Sequence, residues 1–231
     1  MGAEGGTVLR DLWDDFCRAH AVAASSVPLF AADEDGVVET FGYGRNSRPM
    51  LRRSPAMRAY LIGTVQAVLS APTSKYEGIL YMMHRIEPEG RVFPLYIGKA
   101  GRHGRFGAAV SANLENIERD EGKFARWGYN YAYHLGDLSA ASLPGHIVQG
   151  PPKYVRWANA LFECSPSSTP VLRFDVRFWC TAWGPDAIGI WREFSPCPLA
   201  FAEYLLIGVA GVLFPNDLLN EEGVNRVAST D

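Results

Sequence analysis

"GILYMMHRIEPEGRVFPLYIGKAG" (residues 78–101) is the stretch that predicts the fold. Two runs rich in aliphatic and aromatic residues flank "EPEG", where proline at the second position and glycine at the fourth are typical of a β-turn. The sequence therefore predicts a two-stranded antiparallel hairpin. With the turn centred on this segment, Tyr81 lies opposite Tyr96, and both phenols leave the same face of the sheet.

Helical patterns surround the hairpin, at residues 7–25, 54–70, 153–163 and 199–214, with a further capped helix predicted from Ser111. An alternating run at 171–183 predicts another strand. We expect an α/β (α+β) fold in which a small mixed sheet with an antiparallel hairpin is flanked by helices. Residues 1–75 are interpreted as an N-terminal helical extension. Residues 76–231 are interpreted as the main domain, with an insertion at about 102–160.

Composition excludes several classes of protein. With 231 residues, of which 48% are hydrophobic, the chain predicts a packed globular domain rather than a disordered protein. The longest apolar run, residues 199–214, contains a glutamate and is shorter than the roughly 20 residues that span a bilayer, so a buried helix is predicted. The acidic start of the chain lacks a signal-peptide pattern, which predicts a cytoplasmic protein with no membrane partner. The cysteines have no CxxC spacing, which favours reduced core thiols.

Charge is divided unevenly along the chain. Residues 1–41 carry two basic and eight acidic side chains, residues 42–126 carry fourteen basic and seven acidic, and residues 127–231 carry six basic and ten acidic. The middle third is thus positive, although the formal net charge of the whole chain is −3. A local positive surface attracts a polyanion whatever the total charge. A solvated charged face without a binding function is an equally good interpretation of this pattern.

Three sequence fragments occur in a specific order: "GILY" at residues 78–81, "YIGKA" at 96–100, and a helical segment at 201–220 with one glutamate near its start. In this order they resemble the GIY-YIG nuclease superfamily. The resemblance covers about residues 78–220, and "GILY" carries one residue more than a plain Gly-Ile-Tyr. It implies two hairpin strands that each supply a tyrosine, a following helix that supplies an arginine and often a histidine, and a later helix whose glutamate holds one divalent metal ion.

By this resemblance Tyr81 and Tyr96 hold and activate the attacking water, and Tyr81 is our choice for the general base. Phosphodiester hydrolysis needs a water aligned opposite the leaving oxygen and neutralisation of the charge that develops on phosphorus. A phenol with a pKa of about 10 is a poor base unless cations lower that pKa. We expect Lys99, Arg102 and Arg105 to do so and to contact DNA. The alternative is that both tyrosines serve only in aromatic packing.

Glu203 is the predicted metal ligand. A carboxylate in an otherwise apolar helix is costly to desolvate unless a cation meets it. Magnesium, with manganese as an alternative, binds through one carboxylate, phosphate oxygens and waters. The competing interpretation is a charge near a helix N-terminus, which the helix dipole favours in any protein. Asn220 matches an asparagine that supports the site in the family from the end of this helix.

The arginine and histidine of the family are harder to place. Arg105 has nearly the usual spacing after the second tyrosine, but position 109 is alanine where histidine or tyrosine is expected. Some restriction enzymes of the family carry a long insertion, which in this chain would supply Arg126 and His134. Eight residues apart on a helix, these two lie about 80° apart around the axis, so one site could use both. We therefore assign Arg126 and His134 to catalysis and Arg105 to phosphate binding.

The resemblance implies a metal-dependent endonuclease that hydrolyses double-stranded DNA. The chain looks most like the type II restriction endonucleases of the superfamily, because of its "PLYIGKA" motif, its insertion and its length. Such an enzyme would act as a homodimer on a short duplex site, with the arginines of residues 45–53 on phosphates. Two alternatives stay open. One is a structure-specific repair, mobile-element or phage-defence nuclease of the same superfamily, and the other is a non-catalytic DNA-binding module.

Overall fold

The computed structural model describes residues 3–103, 114, 135–146, 152–193 and 196–224. In these ranges the helices are α1 (Ala3–Ala19), α2 (Val22–Ser25), α3 (Pro55–Ser70), α4 (Leu135–Ser142), α5 (Pro152–Leu161) and α6 (Leu199–Leu213). The strands are β1 (Val27–Pro28), β2 (Thr40–Tyr43), β3 (Arg48–Leu51), β4 (Gly78–Ile86), β5 (Val92–Gly101) and β6 (Arg177–Trp183). The helix predicted from Ser111 lies outside the described residues, apart from the buried, helical Leu114.

Four strands form one sheet in the order β1-β6-β4-β5, and a separate hairpin joins β2 to β3. Helices flank this small sheet, so the predicted α/β class is confirmed. The prediction of a mixed sheet was wrong, because every strand pair in the described residues is antiparallel. The reason is that β6 returns beside β4 in the opposite direction, and β1 then runs against β6.

The predicted hairpin is present as β4 and β5, but in a different register. Tyr81 lies opposite Gly98, and Tyr96 lies opposite Met83, so the predicted direct pairing of the two tyrosines was wrong. The ladder closes at Ile86 and Val92, beyond the four residues taken as the turn, and its register shifts again at a bulge between Met83 and His84. The extra residue is Leu95 of β5, and it follows Pro94, which has no N–H to donate to the ladder. The two phenols are therefore diagonal neighbours on one face, with ring centroids 6.2 Å apart.

Each face of the sheet carries its own apolar core. The phenol face, which we define by Ile79, Tyr81 and Met83, packs against α3, α4 and α5. The opposite face, which we call the α6 face, carries Leu80 and Ile97 and packs against α1 and α6. Residues 1–75, expected to be an extension, thus supply β1 to the sheet, α3 to the core on the phenol face, and α1 and α2 to the core on the α6 face.

Helix ends are held by specific hydrogen bonds. Ser54 caps α3 as predicted, because its hydroxyl accepts from the backbone N–H of Met57 at 2.9 Å. α6 begins after Pro198, which offers no side-chain cap. Its first N–H, at Leu199, instead donates to a carboxylate oxygen of Glu77 at 2.6 Å. Within the described residues no helix is both long and apolar enough to cross a membrane. All four cysteines are free thiols, and Cys164 is the exposed one.

His84 of β4 is an ionisable side chain with no exposed surface, and it lies opposite Pro94, next to the bulge in β5. Burial lowers the pKa of its imidazole to about 3; the backbone of Met82 opposes this shift, and the charge of Arg177 adds to it. His84 is therefore neutral in the folded protein at any pH above about 3. In the unfolded chain a histidine has a pKa near 6.5.

These two pKa values predict a pH dependence of stability. The unfolded state binds the extra proton as pH falls below about 6.5, so the free energy of unfolding should fall by up to about 1.4 kcal/mol per pH unit until the folded-state pKa is reached. His84→Phe should remove this part of the dependence. Urea unfolding of both proteins between pH 7.5 and 4.5 measures the difference, and His103→Gln is the control at an exposed position. Parallel curves for wild type and His84→Phe would contradict the prediction.

Candidate active site at the edge of the sheet

The two predicted catalytic tyrosines meet on the phenol face. Tyr81 is 5% exposed and Tyr96 is half-buried. Their side chains share a hydrogen bond. Gly98 makes room for this arrangement, because a Cβ atom at that position would lie 2.4 Å from the hydroxyl oxygen of Tyr81. The glycine of the "YIG" motif is therefore required by the packing of the other strand's tyrosine.

The pKa of Tyr96 is raised to about 12. Burial is the largest cause, and the negative charge of Glu203 is the second; the hydrogen bond from Tyr81 acts in the opposite direction. Glu221 and Glu222 also raise this pKa through their charges. The prediction that nearby cations lower the pKa of the phenols was wrong for Tyr96, because burial and the charge of Glu203 raise it.

Glu203 and Lys99 form an ion pair on the α6 face of the sheet. Glu203 lies in the second turn of α6, and its carboxylate contacts the ammonium group of Lys99 on β5. The glutamate side chain is 19% exposed and the lysine side chain 36% exposed. A buried carboxylate needs a cation nearby, and the ammonium group of Lys99 supplies one for Glu203. Solvent still reaches the carboxylate, which leaves it able to bind a further cation.

Close packing fixes the start of α6 against the hairpin. The carboxylate of Glu77 holds the Leu199 N–H, and Gly78 follows directly in β4. A Cβ atom on Gly78 would lie 2.2 Å from the Ala100 carbonyl oxygen and 2.8 Å from a methyl carbon of Leu199. Only glycine therefore allows the helix and the strand to approach this closely, and that approach brings Glu203 to Lys99.

Asn220 closes the free edge of β5. Its side-chain oxygen accepts from the Ile97 N–H at 3.0 Å, and its amide nitrogen donates to the Ile97 carbonyl at 2.8 Å. The Leu219 N–H donates to the Leu95 carbonyl at 2.7 Å. Asn220 thus pairs with the strand as another strand would. It is 5% exposed and holds the backbone between Tyr96 and Gly98, which is a positioning role.

Helix α5 adds residues that the sequence did not identify. The ring of Trp157 lies 4.8 Å from that of Tyr96, measured between centroids. The Lys153 ammonium lies 5.3 Å from the centroid of the Tyr96 ring and 5.6 Å from that of Trp157. Arg156 donates to the Leu219 carbonyl at 2.5 Å, next to Asn220. The helical period of residues 153–163 was the available signal, but a period does not say which strand the helix covers.

The remaining predicted cations are not part of the described cluster. Arg102 is 5% exposed and donates to the carbonyl oxygens of Ala71 and Pro72, at 2.9 and 3.1 Å. The prediction that Arg102 contacts DNA is therefore wrong, because its guanidinium is buried at the end of α3. The predicted catalytic residues Arg126 and His134, and the predicted phosphate contact Arg105, lie outside the described residues.

The donor set is compatible with magnesium only in one way. Within the described ranges no group of three or more His, Cys, Asp or Glu side chains is arranged to hold a metal ion. Glu203 would therefore contribute a single carboxylate, while phosphate oxygens and waters complete the coordination, which magnesium accepts. Lys99 already contacts this carboxylate, so an ion would share it or displace the ammonium group.

No family model matches this chain, and neither a curated protein nor a solved structure matches it.

The contact between Gly98 and Tyr81 predicts the effect of one added methyl group. Gly98→Ala should destabilise the protein by about 1–3 kcal/mol, because the buried Tyr81 ring must move. Gly63→Ala in α3 is the matched control, since a Cβ there meets no atom within 4 Å and should stabilise the helix by about 0.5–1 kcal/mol. Urea unfolding measures both changes.

A double-mutant cycle tests the cause of the predicted loss. In a Tyr81→Ala background the Gly98→Ala substitution should cost much less, because the atoms that it meets are gone. An equal cost in both backgrounds would show that the ring of Tyr81 is not what excludes a side chain at position 98.

Proposed function

We propose that this protein is a metal-dependent DNA endonuclease of the GIY-YIG type, which hydrolyses phosphodiester bonds by in-line attack of an activated water. The observation that supports the proposal is a convergence at residues 96–99 of β5. The hydrogen-bonded phenols lie on one face of this strand and the ion pair of Lys99 with Glu203 lies on the other, and the charge of Glu203 acts on Tyr96 across the strand by raising its pKa. Packing alone requires neither a phenol pair nor a carboxylate at this place.

The two phenols have different proposed roles. A pKa of about 12 keeps Tyr96 protonated at neutral pH, so Tyr96 serves as a hydrogen-bond donor. Tyr81 is then the base that takes the proton of the attacking water. The hydrogen bond between the two phenols is donated by Tyr81 to Tyr96, so the two hydroxyl groups are already in contact before a substrate binds. The buried ring packing fixes both oxygens before substrate arrives, as in-line attack requires.

Glu203 is the proposed ligand for magnesium or manganese. When bound, the ion would polarise a phosphoryl oxygen and neutralise charge that develops on it. Lys99 holds the carboxylate in position in the absence of DNA and is close enough to donate to a phosphate oxygen when DNA is bound. Asn220 and Glu77 act through position: one holds the backbone at Ile97, and the other holds the start of α6.

The proposed substrate is double-stranded DNA, cut at a short sequence by a homodimer in the manner of type II restriction endonucleases. The positive middle third of the chain supports a polyanionic substrate. A repair, mobile-element or phage-defence nuclease of the same type is the second candidate, because the site chemistry would be identical. A non-catalytic DNA-binding module is disfavoured by Glu203, Glu221 and Glu222, since carboxylates beside a polyanion weaken binding.

Replacing Glu203 by glutamine tests the proposal. Glu203→Gln should lower the rate of DNA cleavage by about 10²–10³-fold, in line with the loss of one charge-stabilising group. It should leave DNA binding intact or slightly stronger, because a negative charge is removed. Glu34→Gln, in an exposed loop, is the control with the same chemical change. Plasmid cleavage with magnesium and gel-shift binding with EDTA measure the two properties, and cleavage at the wild-type rate by Glu203→Gln would refute the proposed role.

The products of the same digestion separate the candidates. Discrete bands from plasmid and genomic DNA would favour a restriction enzyme, whereas a smear would favour a nuclease without sequence preference. Intact DNA with magnesium, manganese and chelator alike would exclude the endonuclease and leave the binding module.

A further inference from the structure

The hairpin of β2 and β3 is a surface element that the proposed chemistry does not use. Its four pairs run from Thr40 opposite Leu51 to Tyr43 opposite Arg48. The four residues at its tip, 44–47, are all exposed. Gly44 and Ser47 have positive φ angles of 73° and 44°, which close the tip tightly. The hairpin therefore ends in a compact turn that offers its side chains to solvent.

Hydrogen bonds attach strand β3 of this hairpin to α4 and to the residues that follow α4. Leu51 is fully buried, and its N–H donates to the hydroxyl of Ser139 on α4 at 3.0 Å. The ring of His146 makes a 2.8 Å hydrogen bond with the Pro49 carbonyl. Helix α4 packs against α5, which in turn contacts Tyr96. The hairpin thus lies on the phenol face of the sheet, the side of Tyr81 and Tyr96.

The charge of this element is one-sided. The hairpin itself, residues 40–51, carries Arg45 and Arg48 and no acidic side chain. Glu39, directly before it, is paired with Arg52, directly after it, at 3.1 Å. At the tip, Arg45 and Asn46 are both exposed. The second hairpin within the described residues is the contrast, since its turn between β4 and β5 carries Glu87 and Glu89 beside Arg91. A polyanion would accept the first hairpin and be repelled by two charges of the second.

We propose that the β2–β3 hairpin reads base sequence in the major groove of duplex DNA, with Arg45 and Asn46 contacting the base edges. This assignment replaces the expectation from the sequence that Arg45 contacts phosphates. The major groove is about 12 Å wide and admits a two-stranded ribbon. Arginine pairs with the O6 and N7 atoms of guanine, and asparagine pairs with the N6 and N7 atoms of adenine. This inference rests on the proposed function for the identity of the polymer, and it adds the element that selects the site.

Selection from random duplexes tests this inference without requiring cleavage. Wild type, Arg45→Ala, Asn46→Ala and the control Arg91→Ala are incubated with duplexes that contain a randomised segment, with EDTA present, and the bound duplexes are sequenced. We expect wild type to enrich a motif. Arg45→Ala should lose about tenfold of the preference for guanine at one position, Asn46→Ala the same for adenine, and Arg91→Ala neither. Melting temperatures should be unchanged, because the substituted side chains are exposed.

A base analogue identifies the groove. Replacing guanine by 7-deazaguanine in the enriched duplex removes an acceptor that is present only in the major groove. The affinity of wild type should fall, while that of Arg45→Ala should not change. An equal fall for both proteins would overturn the contact between Arg45 and guanine.

The outcomes distinguish this inference from the nuclease proposal. The inference is overturned if wild type binds no duplex or enriches no motif. It is also overturned if Arg45→Ala and Asn46→Ala enrich the same motif as wild type, even if both variants bind every sequence more weakly. Cleavage of DNA without any motif would leave the nuclease proposal standing and overturn the hairpin's role. An enriched motif that depends on Arg45, with no cleavage in magnesium or manganese, would support the hairpin's role and overturn the nuclease proposal.

Discussion

Strand alternation in β5 is the constraint on which the candidate site depends. Successive residues of a strand leave opposite faces of the sheet. Tyr96 therefore joins the phenol face, while Lys99 reaches Glu203 on the α6 face. Because β5 is an edge strand, the two faces meet at its free border, where Asn220 binds the backbone of Ile97. Residues 96–99 of β5 thus contact helices on both faces of the sheet and also form part of its free edge.

The packing around β5 also explains why small residues occur where they do. Gly98 lies opposite Tyr81, whose ring occupies the space of the missing side chain, and Gly78 admits the first residue of α6. Neither contact is an interaction of high energy in itself. They bring a phenol and a helix within reach of the strand, and the ion pair and the phenol hydrogen bond follow. A partly exposed ion pair such as that of Glu203 contributes only about 0–1 kcal/mol to stability, so stability alone does not explain its presence.

Much of this fold could be predicted from the sequence, and the failures have physical causes. The β4–β5 hairpin, α3, α5 and α6 carry strong local signals in turn residues, caps and helical period. The register was wrong because a bulge at Pro94 and the extent of the turn depend on pairing partners that local signals do not contain. Lys153 and Trp157 were missed for a related reason: only tertiary packing determines that α5 covers Tyr96. The position of Glu203 near Tyr96 was predicted by resemblance, not by local pattern.

Arg102 shows why basic composition does not locate a binding surface. It lies three residues after Lys99 in a run that looks uniformly cationic, yet its guanidinium is buried on two backbone carbonyls at the end of α3. A helix C-terminus presents unpaired carbonyls, and an arginine satisfies them better than water does at a buried position. The guanidinium of Arg102 is therefore buried and hydrogen-bonded within the protein, whereas the side chain of Arg45 is exposed to solvent. A count of charges along the chain treats the two alike, and only burial separates the cations that hold this protein together from those that can meet a phosphate or a base.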